Sequence, residues 1–289
     1  MSQIRATLVR RLLVVALVLA ATGAEAAAPR RIVSLIPAVT EMLFAMGAGS
    51  RLVGVSSFDR FPPEVSRIAR VGGLLDPNVE ALLALKPDLV IVYNTQAELK
   101  QRLERVGIPY FSYEHRAMAD IMATIRAIGA RIESSARAEA LAREMEGTIA
   151  NVRSSVARRG RLRTMLVFGR DPSSLRNVTA SGGYGFLHDM LEVAGGTNVF
   201  ADIKQQSVQA STEMILARQP EVIVELRYGD SVKAADLSRE VEAWYTLTSV
   251  PAVTNRRVFV LVGDEFVVPG PRVVEAIRRL VVTLHPDMR

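Results

Sequence analysis

The chain has 289 residues, 49% of them apolar, no cysteine, and a formal net charge of +6. That apolar content fills one large or two ordinary cores and excludes a disordered chain, while the missing cysteine excludes a disulfide framework and a lipid-modified N-terminal cysteine. A basic balance suggests nucleic acid in a cytosolic protein, but the N-terminus points to export, so no nucleic-acid partner is expected.

Arg5, Arg10 and Arg11 precede an apolar run from Leu12 to Ala21 and the small-residue stretch Ala24-Glu25-Ala26. The run is far shorter than the about 20 apolar residues a membrane helix needs. Residues 1–26 therefore read as a cleavable signal peptide, and the remainder as a soluble, monomeric periplasmic protein.

Arg31 to Leu35 reads as the first strand, Thr40 to Met46 as a helix ended near Gly47, and Arg51 to Ser56 as a second strand delivering Phe58 and Asp59. Leu89 to Val92 is an all-apolar strand of the buried parallel kind, with Tyr93 and Asn94 just past its end. Helix from Glu98 to Val106 and strand from Pro109 to Tyr113 follow. From Ala117 to Gly160 no strong turn signal interrupts the chain, and Leu141, Met145, Ile149, Val152 and Val156 form a helical stripe. The expected helix, Ser135 to Ala157, is long enough to join two lobes, and Gly147 within it leaves room for close approach of another element. Arg163 to Gly169 opens a second set with a strand, followed by a polar loop to Ser181, the strand Arg257 to Leu261 and a last helix from near Pro271.

One phrase occurs twice. Glu80 to Val92 runs Glu, short helix, Pro87, Asp88, apolar strand; Glu213 to Val224 runs Glu, short helix, Pro220, Glu221, apolar strand. Upstream, the stretch from Glu41 to Gly47 matches Asp189 to Gly195 in the same order. The fold class is therefore α/β, with two pseudo-repeat lobes: residues 27–133, a connecting helix at 134–160, and residues 161–289, with a ligand cleft between them.

His115, His188 and His285 are scattered without metal-ligand spacing, so no metal site is expected and the histidines read as structural or exposed. No Gly-x-Ser-x-Gly elbow is present, and the Gly182-Gly-Tyr-Gly185 stretch is a poor dinucleotide fingerprint. A secreted hydrolase using Ser181 or Ser211 with His188 and Asp189 stays as an alternative. What stands out instead is a set of aromatic and polar residues at strand ends, Phe58, Phe61, Tyr93, Asn94, Tyr184, Asp264 and Phe266, suited to a bulky, partly apolar ligand.

Ser34-Leu-Ile-Pro-Ala-Val-Thr-Glu41, Val53 to Pro63, Asn78 to Glu80 with Lys86 to Asp88, and Gly270-Pro-Arg272 together resemble the helical-backbone periplasmic binding proteins of ABC importers, most closely those that carry corrinoids. The resemblance covers essentially the whole chain after residue 26. It implies two α/β lobes bridged by one long rigid helix, no enzyme activity, no cofactor beyond the carried ligand, and a permease dimer as partner. It places ligand contacts at Pro37, Ala38, Phe58, Leu74, Tyr93, Asn94, Tyr184, Asp264 and Phe266, and permease docking at Glu80 and Glu213. Corrinoid-binding members carry Tyr at the position of Phe58 and Trp at those of Leu74, Tyr93 and Ser207, so a ferric siderophore or haem stays open beside a corrinoid. For haem, Tyr93 or Tyr184 would be the axial ligand.

Overall fold

The computed structural model describes residues 28–229 and 234–288; the expected signal peptide lies outside them. In the first lobe β1 (Ile32–Ser34), β2 (Leu52–Val55), β3 (Ala69–Arg70), β4 (Leu89–Tyr93) and β5 (Tyr110–Tyr113) form a parallel sheet in the order β3-β2-β1-β4-β5. Strand alternation divides the apolar side chains between two faces. Leu89 and Ile91 pack with Val39 and Met42 of helix α1 (Pro37–Ala45), while Val90 and Val92 pack with Leu82 of α2 (Val79–Ala84) and Leu99 and Leu103 of α3 (Ala97–Arg105).

The second lobe has β6 (Leu162–Gly169) at the centre of the order β11-β10-β6-β7-β9, with β10 (Val222–Arg227) and β11 (Val258–Val262) parallel to it. The first half of β6 pairs in parallel with β8 (Gly196–Asn198). Its second half pairs with β7 (Thr179–Ser181), which pairs in turn with β9 (Ser207–Gln209), both antiparallel. The polar stretch read as loop up to Ser181 thus ends in a strand.

Between the lobes the chain forms two helices, the second starting at Ser135 as the sequence indicates. α4 (Met118–Arg131) stops, the backbone turns through Glu133 at φ 56°, and α5 (Ser135–Val156) returns against it. The helices approach closely at Gly129, where a Cβ would stand 2.2 Å from that of Ala138; nothing lies within 4 Å of such a Cβ at Gly147, so the close approach is at the other glycine. Arg126 bridges Glu139 at 2.7 Å and Glu146 at 2.8 Å, pinning α4 along α5. α5 has 22 residues, about 33 Å at about 1.5 Å per residue.

The lobes share a core. Ile32, Met42 and Ile91 from the first, Ile125 and Met145 from α4 and α5, and Leu166, Met190 of α6 (Phe186–Val193), Val224 and Ile277 of α10 (Val273–Leu284) form one contiguous cluster. Burial of this kind contributes about 25 cal/mol per Å² of apolar surface, so separating the lobes would expose a substantial part of the molecule's stabilising area.

The repeated phrase has a structural account in both lobes. α2 and α7 (Thr212–Arg218) begin at side-chain caps, Asn78 accepting from the Ala81 N–H and Ser211 from that of Met214. Lys86 and Gln219, each directly before a proline, leave the helix in the left-handed region at φ 48° and 46°. The acid after the proline then accepts from the chain entering the neighbouring strand: Asp88 from the Arg30 and Arg31 N–H groups at 2.8 and 2.9 Å, and Glu221 from that of Arg163 at 2.8 Å.

Candidate functional site: the cleft between the lobes

Two small cavities face each other across the cleft. The first, about 190 Å³, is lined by Pro37, Ala38, Ser56, Phe58, Leu74, Tyr93, Tyr113 and His115 on the first lobe and by Val267 to Pro269 from the far side. The second, about 250 Å³, is lined by Phe168, Tyr184 to Leu187, Gln206, Ser207 and again Val267. Val267 belongs to both walls, and the ring of His115 meets that of Phe186 edge-on at 5.7 Å. They are two halves of one cleft.

Local structure presents each wall residue. The Ser56–Asp59 turn is tied by Asp59 Oδ2 accepting from the Ser56 N–H at 2.8 Å and Ser56 Oγ from the Phe58 N–H at 3.1 Å, and Arg70 clamps the carbonyls of Ser56 and Asp59. Burial pushes the Asp59 carboxyl above its ordinary range despite these bonds. Phe58 sits over Gly73, where a Cβ would come within 2.6 Å of its ring, and remains 65% exposed. Gln96 donates to the Leu74 carbonyl and accepts from the Tyr93 N–H, both at 2.8 Å, which fixes Leu74 relative to Tyr93. On the second lobe, Gly182 and Gly183 let the 201–206 segment pack on bare backbone: a Cβ would stand 2.2 Å from the Gln205 carbonyl and 2.0 Å from that of Ala201. This packing, with Gly185 at φ 98°, carries Tyr184 to the rim.

The floor is aromatic. Tyr113 stacks on His115 with centroids 5.7 Å apart, and Tyr93 meets both rings edge-on. Tyr113 Oη and His115 Nδ1 are buried without hydrogen-bond partners. Burial raises the Tyr113 phenol far above its ordinary value and lowers the His115 imidazole, which stays neutral at neutral pH even though Asp120 and Glu114 oppose the shift.

Three expected contacts lie elsewhere. Phe266 is fully buried in the shared core with Arg279 over its ring, because the short turn Asp264–Phe266 rotates it inward and brings Val267 and Val268 to the cleft instead. Asp264 accepts from the Gly229 N–H at 3.0 Å, and Asn94 has its Oδ1 buried without a partner; neither lines a cavity half. His115, read from sequence as structural or exposed, is a wall residue. Its only sequence signal was its place two residues beyond Tyr113, at the end of a strand.

The hydrolase constellation is not assembled. Ser181 is fully buried and donates to the Gly182 carbonyl; Ser211 caps α7; Asp189 accepts from the Met118 N–H at 2.8 Å; and His188 Nδ1 lies 3.4 Å from the Asn198 amide. Among the described residues no cluster of three His, Cys, Asp or Glu side chains is placed to hold a metal ion.

The family described as periplasmic binding protein matches residues 32–264. The chain belongs to that family. The vitamin B12-binding protein of Salmonella typhimurium is 32% identical over 257 residues, covering 88% of this chain and 89% of the relative. The crystal structure of the periplasmic vitamin B12 binding protein BtuF of Vibrio cholerae superposes with a TM-score of 0.74 at 24% identity, covering 90% of this chain and 98% of that one. The periplasmic heme-binding protein RhuT from Roseiflexus sp. RS-1 in apo form gives 0.75 at 25% identity over 90% and 99%. This periplasmic binding protein has the family's two lobes, and its cleft falls where both sheets direct the ends of their strands.

Proposed function

We propose that this protein is the periplasmic, substrate-binding component of an ABC importer, exported through a cleaved signal peptide, that captures a corrinoid between its lobes and hands it to a membrane permease dimer without transforming it. One observation carries the corrinoid reading. Phe58, Leu74, Tyr93 and Ser207, the positions where corrinoid binders carry large aromatics, come from four separate stretches and all line the same cleft. The relatives named as vitamin B12-binding proteins support it. With smaller side chains at Leu74 and Ser207, the cleft holds the ligand through fewer rings, Phe58, Tyr93 and Phe186 among them.

Haem is the second reading, favoured by Tyr93 and Tyr184, which put a phenol on each wall of the cleft as an axial-ligand candidate. Purification from a corrinoid-producing host followed by native mass spectrometry and visible absorption separates the two. A stoichiometric cobalt corrinoid is expected. An iron porphyrin, or a ferric siderophore band, would replace the first reading.

A further inference from the structure

Among the described residues, those lining the two halves of the cleft include no Asp, Glu, Lys or Arg. Their polar groups are neutral: the hydroxyls of Ser56, Tyr93, Tyr184 and Ser207, the amide of Gln206 and the imidazole of His115. We propose that the cleft selects ligands whose periphery is uncharged and hydrogen-bonding, of the carboxamide and hydroxyl class, and rejects those whose periphery carries carboxylates. This rests on the ligand site assigned above and states which chemistry that site accepts.

A carboxylate brought between these walls loses water and needs a cation or several N–H donors in exchange. Among the described residues, the nearby cations are already committed. Arg116 pairs with Glu114 at 2.7 Å, Arg272 with Glu41 and Glu265, Arg70 with the carbonyls of Ser56 and Asp59, and Lys100 with that of Asn94. Arg60, beside Gly229 at the mouth, also has a partner. His115 is held neutral by burial and supplies no charge. Two acids also act on the floor of the cleft, Glu114 on both Tyr93 and His115, and Asp120 on Tyr113 and His115. An entering carboxylate therefore loses water and finds the cations named above already paired. A carboxamide has no net charge to desolvate, and it can both donate to and accept from Gln206, Ser207 and the tyrosine hydroxyls, which offsets the smaller cost of burying it.

The test compares ligands that differ only in that periphery. Calorimetric affinities are measured for cyanocobalamin and its propionamide-derived monoacids, and for iron protoporphyrin and its dimethyl ester. For whichever scaffold binds, the neutral form is expected to bind more tightly by about tenfold or more with at least one acid position, and no acid to bind more tightly than the neutral form. Leu74→Arg, which places a cation on the wall, should shrink or invert that ratio, while Leu74→Met should keep it. Equal or tighter binding of every acid form by the wild-type protein overturns the proposal and leaves the corrinoid assignment standing. Binding of the porphyrin ester over its free acid with no corrinoid bound overturns the corrinoid assignment and supports the selectivity. Binding of neither scaffold overturns both.

Discussion

Arg272, at the start of α10, grips Glu41 of α1 with two nitrogens, Nε on Oε2 at 3.0 Å and Nη2 on Oε1 at 2.5 Å. The carboxylate is 4% exposed and the guanidinium also covers the ring of Phe61 at 4.1 Å, so the pair ties the second lobe to the first within a largely dry contact. Burial raises the Glu41 pKa in spite of the arginine. Arg272→Ala should cost about 3 kcal/mol in urea denaturation at neutral pH, because it leaves a buried carboxylate unpaired. The loss should shrink as pH falls and Glu41 takes up a proton. A pH-independent loss would mean that Arg272 acts through packing on Phe61 alone.

Truncation of the wall aromatics reports on the ligand site. Phe58→Ala and Tyr93→Ala should each weaken ligand binding by about 1 to 3 kcal/mol if the bound ligand buries them. Phe266→Ala should act differently, lowering stability by about 3 kcal/mol or more as a core truncation. Calorimetric titration beside thermal unfolding separates the two effects, and unchanged affinity in both Phe58 and Tyr93 variants would move the site elsewhere.

His115 gives a pH signature. Its imidazole titrates below the ordinary value of about 6.5 because of burial, so near and below that value the unfolded chain binds more protons than the folded one. Stability is then fully present above the ordinary histidine range and falls as pH drops through it. His285 is shifted in the same direction and adds to the slope. His115→Phe should flatten part of the dependence between about pH 5 and 7. An unchanged slope would assign it all to His285 and the carboxylates.

Lobe motion should be small. The core that runs from Ile32 and Met42 through Ile125 and Met145 to Met190 and Ile277 is continuous, and α5 is a single helix. Small-angle scattering with and without ligand should superpose closely, and marked compaction on ligand addition would contradict the shared-core account.

The parts of the fold legible in the sequence were those written in local signals. The two Glu-to-Pro phrases combine a cap, a proline and an apolar run, each acting over a few residues, and both fold as a short helix followed by a buried strand. β7, β8 and β9 each have only 3 residues, too few for a period to show; β7 and β8 form on β6, and β9 forms on β7. The break at Glu133 shows in the sequence only through the Ser134-Ser135 helix start, because a non-glycine residue takes the left-handed turn there. In the cleft, strand-end logic accounts for Phe58, Tyr93 and Tyr184 as wall residues. It failed for Phe266, since one short turn decides whether that ring or Val267 faces the cleft, and for His115, whose role depends on Tyr113 and Phe186 meeting it from different lobes.

Glu80 and Glu213 occupy the first turns of α2 and α7, and both are exposed. An acid there complements the positive helix end, worth about 0.3 to 1 kcal/mol, and the Ser211 hydroxyl holds the Glu213 carboxyl below its ordinary range. The caps at Asn78 and Ser211 already satisfy part of each helix start, however, and the other charges of the repeat have internal partners: Asp88 and Glu221 hold the incoming strands, and Arg31 and Arg163 donate to the carbonyls at the ends of the two helices. The two glutamates are the acids of the repeated phrase that bond to no residue of a neighbouring element, one on each lobe. If the permease is the dimer of the proposed function, a pseudo-twofold protein meeting it needs such a point on each half. Exposed pairs contribute little affinity individually but set orientation and association rate in a salt-dependent way. Glu80→Arg combined with Glu213→Arg should therefore leave the unfolding transition and ligand affinity nearly unchanged while abolishing stimulation of the cognate transporter in proteoliposomes, with each single variant intermediate. Normal docking and uptake by the double variant would reduce both residues to helix-start acids.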